Sequence, residues 1–272
     1  MQNALCLAAI AATAAFTSAG FAATATIIDT TPGGATNDGV IGVGEYVGST
    51  VGINTGFGDV LGASSTLYVD SSSAGGLFFG LDAGPGTFEN QVVIYIDSIA
   101  GGVSDTVGLT DTADTLRRAI SGNGGSGGAD IQFAPGFTAD YAIAFAPENS
   151  FGGLWSLTDG ANLPFQRSVN LTPAGDIAAG AYEMDLLLSD IGLNLGDSFR
   201  YVVTYLNADD DPPFRSNEFH GVADGTLSAG NPGRDLVVLA EGDFNTFVSV
   251  PEPASLSLLA LGGMGLLRRR RR

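Results

Sequence analysis

The chain has 272 residues, with 29 acidic and 11 basic side chains, and every basic side chain is arginine, so the formal net charge is −18. Such an acidic surface repels nucleic acids and anionic lipids, and we therefore expect no nucleic-acid partner. The single cysteine, Cys6, and the single histidine, His220, exclude a disulfide and any zinc site built from several such ligands.

The N-terminal segment has the features of a secretory signal peptide. Residues 4–15 are apolar, and Gly20-Phe21-Ala22 supplies small residues for cleavage before Ala23. Cys6 falls inside this segment, so the mature chain has no thiol chemistry. We predict a signal helix in a signal peptide of residues 1–22, and therefore an exported protein.

Residues 23–250 predict a single β domain. Between the two terminal signals, six arginines face 28 acids, a net charge of −22, and glycine is abundant. Strand candidates are β-branched and aromatic runs bounded by turn residues, at 25–28, 66–69, 77–81, 92–97, 141–145, 153–157, 167–171, 182–188, 199–206, 235–240 and 244–250. The predicted fold class is all-β, a single β-sandwich with a jelly-roll or immunoglobulin-like arrangement of roughly ten or more strands and one short helix.

The helical candidate covers residues 111–120. Asp111 is placed to cap its N-terminus, and Leu116, Ala119 and Ile120 fall on one side of the helix. We therefore expect this helix to pack one apolar face against the sheet.

Four short segments of the mature region follow one another in a familiar order. They are residues 37–46 with a "DG…GEY" pattern, residues 92–97 followed by Gly101-Gly102 with a "YID…GG" pattern, residues 135–142, and residues 182–185 with Ile191-Gly192-Leu193. In this order they resemble the DOMON-like superfamily, which includes the family-nine carbohydrate-binding modules. The resemblance implies a β-sandwich and a sugar ligand.

Trp155, the only tryptophan, is the candidate ligand-binding residue. The related sugar-binding modules hold a sugar between two tryptophans, which this chain cannot do. Phe151, Tyr46 or Phe214 could take the second place. The alternative is that these aromatic rings fill the core, as large apolar side chains commonly do.

A calcium site is the metal candidate. Asp209, Asp210 and Asp211 follow one another in a loop, and calcium prefers several carboxylate and carbonyl oxygens from loops. Asp97 and Asp105, on either side of a Gly-Gly turn, form a second candidate pair. The alternative for the three adjacent acids is a solvated acidic turn, and otherwise we expect no cofactor.

The sequence offers no clear catalytic set. Nucleophilic catalysis by serine needs a neighbouring base, and His220 is the only histidine and is more typical of a structural position. Two carboxylates could hydrolyse glycosidic bonds, but nothing in the pattern marks a particular pair. We therefore expect a protein that is not an enzyme, with a carbohydrate-active hydrolase as the alternative.

The C-terminal tail, residues 251–272, has three parts. Pro251, Glu252 and Pro253 come first, residues 254–267 are uncharged, and the chain closes with Arg268, Arg269, Arg270, Arg271 and Arg272. As a helix the apolar part would extend ~21 Å, shorter than a ~30 Å hydrocarbon core. Terminal arginines favour the cytoplasmic side, so the rest of the chain would lie outside.

This tail resembles the PEP-CTERM sorting signal of Gram-negative bacteria. The resemblance implies that an exosortase in the inner membrane recognises the Pro-Glu-Pro motif, and that a C-terminal transmembrane helix holds the chain until processing. We therefore predict a secreted protein of the cell surface or extracellular matrix, with extracellular polysaccharide as its candidate partner. A purely structural biofilm or adhesion protein is the other alternative.

Overall fold

The computed structural model describes residues 24–251 except 125–126, 158–161 and 229. The strands of this part are β1 (Thr26–Asp29), β2 (Gly48–Val51), β3 (Thr66–Ser71), β4 (Gly76–Asp82), β5 (Gln91–Asp97), β6 (Asn123–Gly124), β7 (Gly127–Gly128), β8 (Ile131–Gln132), β9 (Tyr141–Ala146), β10 (Phe151–Ser156), β11 (Phe165–Thr172), β12 (Ala181–Leu187), β13 (Ser198–Asn207), β14 (Phe214–His220), β15 (Val237–Val238) and β16 (Asn245–Ser249). One α-helix, α1 (Thr115–Ser121), and two short 3-10 turns, Pro147–Asn149 and Leu188–Ile191, complete the described elements.

Twelve of the described strands form one mixed sheet that nearly closes on itself. Its order is β1-β16-β13-β5-β9-β10-β11-β12-β4-β3-β2, with β14 paired to β13. The two ends of this series approach each other, because a Cβ on Gly48 of β2 would lie only 2.5 Å from the Ile27 side chain of β1. β11 pairs with β10 through its first half and with β12 through its second half, so the hydrogen-bonded network is continuous.

The sheet has a core on each side, as β5 illustrates. All seven residues of β5 are buried, and alternate side chains of a strand point to opposite faces. Val92, Ile94 and Ile96 belong to the inner core that the sheet encloses. Val93 and Tyr95 belong to a second core on the outer face. The uninterrupted apolar run of β5 is therefore the result of burial on both faces.

The second core is covered by α1 and by the segments around β8 and β15. Leu116, Ala119 and Ile120 of α1 are buried in it, as the helical spacing predicts. The Tyr95 hydroxyl donates a hydrogen bond of 2.7 Å to the Ile120 carbonyl, which ties the end of the helix to β5.

The predicted β class is confirmed and, within the described residues, so is the one short α-helix, with corrections of detail. Each of the eleven predicted strand segments overlaps a strand. The helix begins at Thr115 rather than Asp111, and Asp114 is its cap. Asp111 instead accepts hydrogen bonds from the Ala113 and Leu163 backbone, so its side chain organises the preceding turn.

Other expected features remain predictions. The two separate sheets of a sandwich are not confirmed by this continuous network. The signal peptide, Glu252, Pro253 and the arginine cluster lie outside the described residues. In the part of the chain that the structure describes, no helix has the length and apolar character needed to span a membrane.

Candidate functional site

The sorting motif begins where the sheet ends. The last strand, β16, finishes at Ser249, and the Val250 amide donates to the Asp29 carbonyl of β1 at 2.9 Å. Pro251 follows directly and is exposed. The Pro-Glu-Pro motif therefore begins at an accessible position immediately beyond the folded part.

Trp155 lies beside a cavity of about 520 Å³ on the outer face of the sheet. The ring itself is 1% exposed and belongs to the second core. Two other rings are open to solvent at this cavity, Phe151 at 38% and Phe165 at 45% exposure. Trp155 therefore forms the buried wall of the cavity, and the two phenylalanines provide its accessible apolar surface.

The three rings are brought together by strand geometry. Phe151 and Trp155 are four residues apart in β10 and share a face, and Phe165 is paired with Trp155 from β11. The Phe165 ring contacts the edge of Trp155 at 5.6 Å between centroids and lies nearly parallel to Phe151, at 26° and 6.4 Å. The pattern Phe-x-x-x-Trp in one strand was a usable signal for Phe151, whereas only the pairing of the strands identifies Phe165.

Gly153, between Phe151 and Trp155, keeps this surface flat. A Cβ at this position would lie 2.5 Å from the Trp155 ring and 3.1 Å from Phe165. Real Cβ atoms do not approach other atoms at 2.5 Å, so any larger residue would displace the tryptophan. A glycine at position 153 is therefore a packing requirement of the aromatic cluster.

Arg117 of α1 completes the cavity and is already neutralised. Its guanidinium lies 5.7 Å from the centre of the Trp155 ring, a cation–π arrangement. It also forms ion pairs with Asp111, at 3.3 Å, and with Asp114. We call this site, lined by Phe151, Trp155, Phe165 and the first turn of α1, the aromatic groove.

A second cavity of about 520 Å³ adjoins the aromatic groove, and Phe151 lines both. Its polar lining includes Asn37, Ser168, Asn170 and Asp185. The Asn37 amide donates to the Asp185 carboxylate at 2.6 Å and to the Asn170 carbonyl at 3.0 Å. We call this second cavity the polar arm.

The other predicted aromatic partners lie elsewhere. Tyr46 donates its hydroxyl to Glu183 at 2.7 Å, and burial, together with that carboxylate, raises the pKa of Tyr46. Phe214 contacts Phe57 at 5.8 Å between ring centroids. Of the three candidates only Phe151 lines the same cavity as Trp155.

Asp209, Asp210 and Asp211 form an exposed turn after β13. The Asp209 and Asp210 amides donate to the Asn207 side chain, so the turn is closed by an asparagine. Among the described residues, no group of three or more histidine, cysteine, aspartate or glutamate side chains is arranged to hold a metal ion. Calcium binding by these acids therefore remains a prediction without geometric support.

His220 is fully buried at the end of β14. Its Nε2 lies 2.9 Å from the Ser65 hydroxyl oxygen, and both residues are inaccessible to solvent. Burial lowers the pKa of His220 to about 3, so the imidazole is neutral at physiological pH. The Ser65 hydroxyl also donates to the Gly62 carbonyl at 2.7 Å. This pair thus joins β14 to the turn before β3.

Several acids serve as buried acceptors for backbone amides, a role that the sequence did not reveal. Glu218 of β14 accepts from four successive amides, residues 58–61, at 2.7–3.0 Å. Glu183 of β12 accepts from the amides of residues 38–40 and from Tyr46. The "DG…GEY" segment is therefore a loop fixed to the sheet through Glu183. No local signal marks either glutamate, since their partners are distant in sequence.

Comparison with known proteins identifies the tail. Residues 249–272 match the PEP-CTERM protein-sorting motif, which confirms the tail predicted at residues 251–272. No curated protein matches the chain. The motif indicates an extracellular or cell-surface protein that is sorted by an exosortase at the membrane. The resemblance of the mature region to the DOMON-like superfamily is not confirmed and stays a prediction.

Proposed function

We propose that the chain is a non-catalytic protein of the cell surface or extracellular matrix that binds polysaccharide outside the cell. The single observation that carries the location is the sorting motif at residues 249–272. The binding role is supported by the aromatic groove and the polar arm, which place exposed rings beside amide and carboxylate groups.

Export would begin with the signal peptide and proceed through an intermediate held in the inner membrane by the C-terminal helix. The five terminal arginines would keep the end of the tail in the cytoplasm, and the Pro-Glu-Pro motif would then face the exosortase. Because β16 ends at Ser249, two residues before Pro251, processing at the motif would release the folded region with this strand intact.

Replacement of Pro251, Glu252 and Pro253 by alanine tests the sorting role. We expect the variant to accumulate in the membrane fraction with its C-terminal tail uncleaved, whereas the wild type is processed and exported. Cell fractionation with mass spectrometry of the C-terminus measures both properties. Unchanged processing and location in the variant would contradict the proposal.

A panel of soluble polysaccharides tests the binding role. We expect retention of the protein without release of reducing sugar. Release of reducing sugar would instead support the hydrolase alternative. Absence of binding to every glycan would support a purely structural matrix protein.

A further inference from the structure

The aromatic groove and the polar arm form one continuous surface on the outer face of the sheet. Phe151 lines both cavities, and their floor is provided by β10 and β11. The Asp185 side chain extends the floor to β12. With strands ~4.8 Å apart, three strands give a floor about 10 Å wide. We call the whole surface the outer groove.

The walls of the outer groove are formed by different parts of the chain. The first turn of α1 stands at the aromatic end, and Asn37, in the loop held by Glu183, stands at the polar end. Both walls are fixed by hydrogen bonds, through the Asp114 cap at one end and through the Asn37–Asp185 contact at the other. The outer groove is therefore formed before any ligand binds, which reduces the entropy lost on binding.

The charges at the outer groove disfavour an anionic ligand. Arg117 is the only basic residue among the described residues that line it, and two aspartates already neutralise that guanidinium. Asp185 lies at the opposite end. An acidic polysaccharide would meet carboxylates at both ends of the surface without gaining a free cation.

The chemistry of the lining matches an uncharged sugar chain. Exposed phenylalanine rings offer apolar faces for the C–H surface of a sugar. Asparagine and serine side chains donate hydrogen bonds to hydroxyl groups and accept them, and an aspartate carboxylate accepts them. We propose that the outer groove binds an uncharged polysaccharide, with Phe151 and Phe165 in contact with sugar faces and Ser168, Asn170 and Asp185 in contact with hydroxyls. This inference rests on the proposed polysaccharide-binding function.

Affinity electrophoresis of the exported protein, produced from the full chain, tests the inference. Gels contain glucomannan, dextran or hydroxyethyl cellulose as uncharged probes, and alginate or polygalacturonate as acidic probes. We expect retardation by at least one uncharged probe and by neither acidic probe. The retardation should be the same at low and high salt, because screening weakens binding only when it depends on charge.

Two substitutions locate the binding site. Phe165→Ala removes an exposed ring and should weaken binding about tenfold, and Asn170→Ala should weaken it by a smaller factor. Phe57→Ala is the matched control, because Phe57 is 37% exposed and packs on Tyr205 and Phe214, outside the outer groove. The control should bind as the wild type does. Thermal melting of each variant verifies that it is folded.

The possible outcomes separate the two proposals. If the wild type binds none of the five probes, the polysaccharide-binding function itself fails. If the wild type binds only alginate or polygalacturonate, that function stands and the uncharged ligand is wrong. If an uncharged probe binds and both groove variants retain wild-type affinity, the outer groove is not the site.

Discussion

The outer face of the sheet has a covered part and an open part, and they use similar side chains for different purposes. Over β5, β9 and β13, α1 and the segments around β8 and β15 bury Tyr95 and Phe133 completely or nearly so. Beyond Trp155 this cover ends, and Phe151 of β10 and Phe165 of β11 remain open to solvent. An aromatic residue on this face is therefore buried in the core or exposed at the groove according to what the rest of the chain places above it.

Replacing one phenylalanine from each part is the most direct test of the difference between the covered part and the open part. Phe133→Ala should lower the free energy of unfolding by about 3–5 kcal/mol, because it leaves a cavity among Tyr95 and Phe137. Phe165→Ala should cost less than about 1 kcal/mol, because that ring is half exposed. Chemical denaturation measures both values. Equal losses would show that the open part is also structural.

Replacement of the buried Arg215 tests how the segments that cover the second core are attached to the sheet. Arg215 donates to the Ala129 carbonyl from Nε at 3.0 Å and from Nη2 at 2.6 Å, and to the Thr204 hydroxyl at 2.7 Å. Arg215→Met should cost about 3 kcal/mol, because the carbonyl loses its donors in a dry environment.

Arg234→Met is the control for this substitution, since Arg234 is exposed and also donates to a carbonyl, that of Pro212. It should change the free energy of unfolding by less than about 0.5 kcal/mol. Similar effects of the two substitutions would argue against a decisive role of burial.

The pH dependence of stability tests whether water is excluded from the His220 side chain of β14. The folded-state pKa of His220 is lowered to about 3, so His220 contributes stability that is complete above pH ~6.5 and is lost as the pH falls towards 3. Between pH 7 and pH 5 the wild type should lose about 2 kcal/mol more than His220→Gln. Urea denaturation at both pH values measures this difference, and parallel losses would mean that water reaches the imidazole.

A further substitution tests the packing at the floor of the aromatic groove. Gly153→Ala should cost at least about 1 kcal/mol, because the new methyl group displaces the Trp155 ring. The ring's movement should also shift the tryptophan fluorescence and weaken polysaccharide binding. Gly108→Ala is the control, since a Cβ at Gly108 would meet no atom within 4 Å. A Gly153 variant that matches this control would contradict the packing described for Trp155.

Local patterns were sufficient for most of the sheet but not for all its strands. β5 and β13 are rich in β-branched and aromatic residues, and both were predicted within a residue or two of their bounds. β14 was missed because it contains Arg215, Ser216, Asn217, Glu218 and His220, a composition typical of a loop. It is a buried strand because partners elsewhere satisfy these polar groups, among them amides about 157–160 residues away.

The sequence by itself determined the destination of the protein, its β class and the apolar face of its helix. These properties depend on contiguous residues, namely the tail at residues 249–272, the strand runs and the helical spacing of Leu116, Ala119 and Ile120. Only the tertiary structure decided that Phe165 and Asn170 lie on the same groove as Phe151, and that Glu218 and Glu183 are buried acceptors rather than surface charges. Those properties arise from strand pairing and loop closure between distant segments, which no local pattern records.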